Sequence, residues 1–304
     1  VARIAARQRW GVAAGAFYPE TAPFDGPTTL PDEAAEDFQD YFLGRKPNGE
    51  VSERTRRLCT FESQLRYALF VPIAGGRFCW ISHIASSGSE IALFGWWRYR
   101  YTGDQQWMRD NVYPLLRETA EFYRHFARKG EDGRYHIHET NVHEDFWGVN
   151  DGIFDLAAIR GTVPLAILAS EILGVDAQLR PHWKELLENL APYAMGLDPA
   201  SQALTGGVLA DDVWSIGHLG KVVRPFNGDD FWISPVFPYE DWTLETRDAS
   251  TDAIVKKILD LAPRHASIMH GDGSNTAFRT PIARVRAGLG DDLCVKKFGG
   301  IQEP

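Results

Sequence analysis

Cysteine is scarce in this chain, and its placement excludes two architectures. Cys59, Cys79 and Cys294 form an odd, widely spaced set. They make neither a disulfide framework nor a metal-ligand spacing. Long apolar runs are missing as well: no stretch of about 18 or more apolar residues occurs, so no membrane span is expected. Positive charge is in short supply. The 32 Lys and Arg against 41 Asp and Glu give a formal net charge of -9. Nucleic-acid partners need a basic surface, so none is expected, and no Lys/Arg run suits an acidic membrane. There is no G-x-S-x-G, no phosphate-binding loop and no dinucleotide fingerprint. Nucleophilic serine chemistry and phosphate-bearing cofactors therefore have no support, and no cofactor is expected. Short-period repeats and low-complexity tracts are absent. The chain opens Val1-Ala2-Arg3, without an initiator Met or a signal-like apolar core. The expectation is a processed protein or a piece of something longer, secreted or periplasmic if its parent carried a signal peptide. Nothing in the sequence sets the oligomeric state.

What is abundant is aromatic. Aromatics make up 12% of the chain, with 10 Trp and 10 Tyr. Trp carries flat apolar faces that suit either a carbohydrate surface or a large helical core. The densest chemistry lies in Tyr135–Asp155, where five carboxylates, three histidines, two asparagines and one Trp share 21 residues. Ionisable groups crowded beside aromatics, in a connection between helices, suggest a ligand or active-site loop.

The spacing around that loop is helical. Residues 1–30 read as irregular, and helices are expected over 31–43 and from Ser52 to Phe70. Ser86 opens a helix closed by Thr102-Gly103. Asp104 caps a long helix to about Lys129, with Val112, Leu115, Leu116, Thr119, Phe122, Tyr123 and Phe126 on one face. Tyr135–Glu139 reads as a short strand. Phe154–Leu173 forms an apolar helix ended by Gly174, and Asp176 caps a partner over about 177–194. Residues 195–247 form a loop- and β-rich insertion. Two more helices are expected near 250–261 and 274–289. Helix pairs without βαβ alternation imply a single mostly α domain spanning the chain.

Glu144, in Asn141-Val-His-Glu-Asp-Phe-Trp147, is the leading candidate for catalysis. A carboxyl pressed against Phe146 and Trp147 would lose hydration and keep its proton near neutral pH, as a general acid for a glycosidic oxygen must. The plainer reading is a solvated acid or a helix N-terminal charge. Glu139, in an extended segment, would face away from Glu144 and serve structure or substrate orientation. Asp151 and Asp155 suit a helix first turn, although Asp155 points toward the same region as Glu144. His138-Glu139 with His143 gives H-E-x-x-x-H, whose five-residue step puts the histidines on different helix faces; no metal is expected. Asp272, flanked by glycines in His270-Gly-Asp-Gly-Ser274, is a candidate base, with helix capping as the alternative. Trp214 and Trp232 each follow an acid pair and could stack on sugars or pack in the core.

At these residues the chain resembles a six-hairpin glycosidase, an (α/α)6 toroid, and within that class glycoside hydrolase family 95, the α-L-fucosidase and α-L-galactosidase family, or an uncharacterised relative. Residues 98–126, with their Tyr-Thr-Gly-Asp turn, carry the resemblance, as do Asn141-Val-His-Glu144 and the Asp155-led helix ending in Leu173-Gly-Val-Asp176. The resemblance implies a glycoside hydrolase acting with inversion on a plant or microbial poly- or oligosaccharide. Glu144 would be the acid and Asp272 the base. Asn141, His143, Trp147, Asp155, Glu139, Trp214 and Trp232 would line the sugar site. The family's upstream Asn-x-Asn motif has no counterpart in residues 1–80, and Val-His-Glu stands where the family has Ser-Pro-Glu. About eight helices are expected against the twelve of a full toroid, so the barrel would be incomplete or the chain a fragment. The alternatives are a non-catalytic carbohydrate-binding protein of the same fold, or a polysaccharide lyase with His143 as base.

Overall fold

The computed structural model describes residues 2–18, Glu36, 84–142, 146–196, 212–222, 233–270 and 279–289. The helix expected over 52–70 lies outside them, and of the one expected over 31–43 only Glu36 is described, as helical. The architecture is mostly α. The N-terminus departs from expectation: Ala2–Trp10 is a helix, α1. Its residues are mostly good helix formers, and the glycines and prolines that suggested irregularity begin only at Gly11. Trp10 packs edge-on against Phe122 and Phe126, with ring centroids 5.6 and 5.0 Å away.

α2 spans Ser87–Thr102 and stops at Gly103, which takes the left-handed conformation (φ 66°) that favours glycine. The expected long helix after Asp104 is three joined pieces. Asp104 Oδ1 accepts the Trp107 N–H at 2.9 Å and caps α3, Gln105–Trp107. A π-helical turn, Met108–Val112, follows, and α4 runs Tyr113–Phe126. The helix ends at Phe126 rather than Lys129, because Arg128–Lys129 (β1) turns into a ladder with Tyr135–His136 (β2). The expected face of α4 is buried: Leu116, Thr119, Phe122, Tyr123 and Phe126 are all covered.

α5, Ile153–Leu173, is the central helix. Its length and hydropathy would suit a membrane span, but 67% of its apolar 18-residue stretch is buried inside the fold. It also carries Asp155 and Arg160, as a core helix of a folded domain can. Gly174 ends it as expected, with φ 66°. Asp176 does not cap the next helix, α6 (Arg180–Glu188). Its carboxylate instead accepts from Tyr113 Oη at 2.6 Å and Arg117 Nε at 2.9 Å, tying that corner to α4.

The connection from α4 to α5 supplies two strands, β3 (Thr140–Val142) and β4 (Phe146–Asn150), of a small antiparallel sheet completed by β5 (His218–Val222), in the order β3-β4-β5. β5 is the described strand of the 195–247 insertion. Val142 faces Phe146, and Trp147 pairs with Lys221. Two helices complete the described fold: α7, Ala249–His270, and α8, Arg279–Arg286. The 233–242 segment crosses α5 at Gly161, where a Cβ would fall 2.3 Å from the Tyr239 carbonyl oxygen. Only glycine lets the two backbones meet there.

Candidate active site

Tyr135–Asp155 builds its own scaffold. Ile137 donates its N–H to Asp151 Oδ1 at 2.9 Å, and Asp151 returns its N–H to the Ile137 carbonyl at 2.7 Å. Asp151 holds φ at +51°, a strained left-handed conformation that short acidic side chains tolerate best among non-glycine residues. Its other oxygen lies 2.7 Å from His136 Nδ1, and Asp132 Oδ1 sits 3.2 Å from His136 Nε2. The hydrogen bond to Asp151, helped by Asp132, holds the imidazole pKa above its ordinary value.

Glu139 also has positive φ, at 54°. It is not part of an extended strand; β2 ends at His136, short of the expected Glu139. Alternation along a strand therefore does not decide where Glu139 points. Its backbone N–H donates to Asn150 Oδ1 at 3.2 Å. Its carboxyl is half-buried, and burial pushes its pKa up against the pull of Arg128 and His138.

Two residues expected to line the sugar site, Asn141 and Asp155, are buried. Asn141 is 2% exposed, and its Oδ1 accepts the Gly148 N–H at 3.3 Å, pinning β3 to β4. Asp155 is 1% exposed. Tyr123 Oη donates to Asp155 Oδ1 at 2.9 Å. Oδ2 is fully enclosed and, with the nearby Thr140 Oγ1, lacks hydrogen-bonding geometry to any described residue. Burial pushes the carboxyl up to about 6, against the opposing hydroxyls of Thr140 and Tyr123. The buried hydroxyls of Ser86 and Ser89 lie close to those of Tyr239 and Tyr123 respectively, without ideal hydrogen-bonding geometry. Ser86 sits at the start of α2 and Asp155 in the first turn of α5. Both helices thus bring polar groups into one interior cluster. The sequence marks Tyr123 only as part of an apolar helix face and does not single out Thr140 or Tyr239; the fold brings them from α4, β3 and the 233–242 segment beside Asp155 or Ser86.

Trp214 is 6% exposed and packs on Tyr193, with ring centroids 5.0 Å apart. Trp147 lies on β4. His143 and Glu144 fall in residues 143–145, Trp232 in 223–232 and Asp272 in 271–278, all outside the described residues. The Glu144–Asp272 pairing falls there too. Among the described residues, no group of three or more His, Cys, Asp or Glu could hold a metal ion.

Residues 79–202 match the family model of the Glycosyl hydrolase family 95 catalytic domain. The matched stretch contains α2 through α6 and the whole 135–155 segment. Two curated proteins are also similar. One is a kojibiose hydrolase of Mucilaginibacter mallensis, 28% identical over 102 residues, which are 33% of this chain. The other is a kojibiose hydrolase of Flavobacterium johnsoniae, 34% identical over 92 residues, 29% of this chain. The matches span 15% and 13% of the length of those two relatives. Residues 79–202 are thus similar to the catalytic domain of the family 95 glycosyl hydrolases.

Proposed function

We propose that the chain carries part or all of a glycoside hydrolase catalytic domain, acting on a neutral oligosaccharide with inversion of configuration. The observation that carries this reading is the family 95 catalytic-domain match, which falls on the segment with the densest ionisable chemistry. In this reading Glu144 protonates the glycosidic oxygen as the bond to the anomeric carbon breaks. A water attacks that carbon from the opposite face, and Asp272 accepts the water's proton. Trp147 and Trp232 offer ring faces to the sugar, with His143 and Glu139 supplying polar contacts. Asn141 acts from beneath, holding β3 against β4, and Asp155 anchors the start of α5 to Tyr123. The names of the two similar proteins make kojibiose the first substrate to try.

The test is release of reducing sugar from kojibiose and a panel of plant and microbial oligosaccharides, by the chain and by Glu144→Gln. Release by the former, cut by about a hundredfold or more in the latter, is the expected result. A folded chain silent on every substrate would reject the hydrolase reading and leave a carbohydrate-binding protein of the same fold.

A further inference from the structure

A concavity opens beside α5. Asp155 and Arg160 stand five residues apart on that helix, roughly 140° around its axis, so their side chains leave it in different directions. On the Arg160 side, Arg160, Tyr193, Met195, Trp214, Asp241 and Asp248 line a cavity of about 450 Å³. That size is within the range of small-ligand sites.

The polar groups in it are held in place yet keep capacity in reserve. Arg160 Nη2 donates to the Ala191 carbonyl at 2.9 Å, with the guanidinium 5.3 Å from the Tyr193 ring centroid. Tyr193 Oη donates to Asp241 Oδ2 at 2.7 Å. Arg160 and Asp241 feel each other's charge without forming an ion pair. Among the described residues, Arg160 Nη1 and Asp241 Oδ1 have no partner. A held donor and a held acceptor thus line the same cavity, each with hydrogen-bonding capacity left. Asp248 spends its carboxylate capping α7, accepting the Ser250 and Thr251 N–H groups at 2.9 and 3.0 Å. Met195, half-exposed at 51%, gives the mouth an apolar wall.

We propose that this cavity, on the Arg160 side of α5, binds one ring of a neutral saccharide through Arg160 and Asp241. One hydroxyl accepts from the Arg160 guanidinium while its neighbour donates to Asp241, and the C–H face of the ring rests on Met195 and Tyr193. A charged ligand gains little: an anion meets Asp241 and Asp248, and a cation meets Arg160. The choice of probe sugars rests on the hydrolase reading, whereas the recognition chemistry does not.

The three methionines make a direct test possible. With methionine methyls labelled, kojibiose and linear gluco-oligosaccharides of two to six units are titrated against the chain and followed by NMR. The Met195 methyl resonance is expected to shift saturably, while that of Met108, fully buried in the core, stays still. Glu144→Gln should keep the response. Asp241→Asn, which keeps an acceptor for Tyr193, and Arg160→Lys should each weaken it roughly tenfold, because each loses a charge-assisted or forked hydrogen bond. An unchanged Met108 resonance in each variant confirms folding. A Met195 signal that no saccharide moves, or that moves equally in both variants, overturns the proposal. Hydrolysis without a Met195 response would reject this site and leave the hydrolase reading standing. A Met195 response without hydrolysis would do the reverse.

Discussion

Asp151 and Asp155 lie four residues apart, and the fold treats them in opposite ways. Asp151 is buried beside a base and spends both oxygens, one on His136 and one on the Ile137 N–H. Asp155 is buried beside hydroxyls alone, with one oxygen unsatisfied. Desolvation therefore dominates at Asp155 and lifts its pKa to about 6. At the other site the partner dominates, and the shift appears on His136, upward. Burial drives the shift at Asp155, whereas a carboxylate partner drives the one at His136.

The largest expected effect comes from removing the ionisation at Asp155. Its folded-state pKa lies above the ordinary 3.8, so the group costs nothing below about pH 4. Stability then falls as pH rises through 6, and the full penalty, about 3 kcal/mol, is present above that. Asp155→Asn keeps an acceptor for Tyr123 and adds an amide donor toward Thr140. Urea unfolding should show the parent losing stability between about pH 4 and 6 and the variant lacking that loss. Above pH 7 the variant should be the more stable protein. Parallel curves for the two would mean that Asp155 ionises at no cost, and the contrast with Asp151 would collapse.

Next in size is Asp151→Ala. It leaves the buried Ile137 N–H without its side-chain acceptor and the imidazole without its closer carboxylate. The expected cost is about 2 kcal/mol of stability. The pKa of His136, raised in the parent, should drop toward the ordinary 6.5. In the parent, a raised histidine stabilises fully below about pH 6.5, and that contribution fades as pH climbs through the folded-state value. The variant should lack this fade. NMR titration of the His136 ring measures the pKa directly, and a value unmoved by Asp151→Ala would sink the assignment.

The sequence makes these two sites legible to different depths. Local signals carried well. Gly103 and Gly174 end their helices in the left-handed conformation, and Asp104 caps α3. These depend on one or two residues and their neighbours. α1 escaped because the helix-breaking composition after Gly11 coloured the reading of the residues before it. The sheet escaped because β4 pairs with β5 some 70 residues later, and no periodicity reports such a partner. At Asp155, an acid in a helix first turn looks like a dipole or capping charge. The contrary signal was in α5 itself: a helix apolar nearly all round must be buried, and its acid with it. The pairing of His136 with Asp151 needs the β3–β4 hairpin to fold back first, so spacing alone does not reveal it.

The smallest expected effect sharpens the comparison most. Asp132 also reaches His136, at 3.2 Å, but from an exposed position where water screens it. Asp132→Asn should leave thermal stability unchanged within error. It should lower the His136 pKa by less than Asp151→Ala does, because the hydrogen bond to Asp151 contributes most to the shift. The same ring titration ranks the two carboxylates. If Asp132→Asn moves the imidazole as far as Asp151→Ala, then proximity of charge, and not enclosure of the partner, sets the pKa in this segment. The reason given for the opposite behaviour of Asp151 and Asp155 would then fail with it.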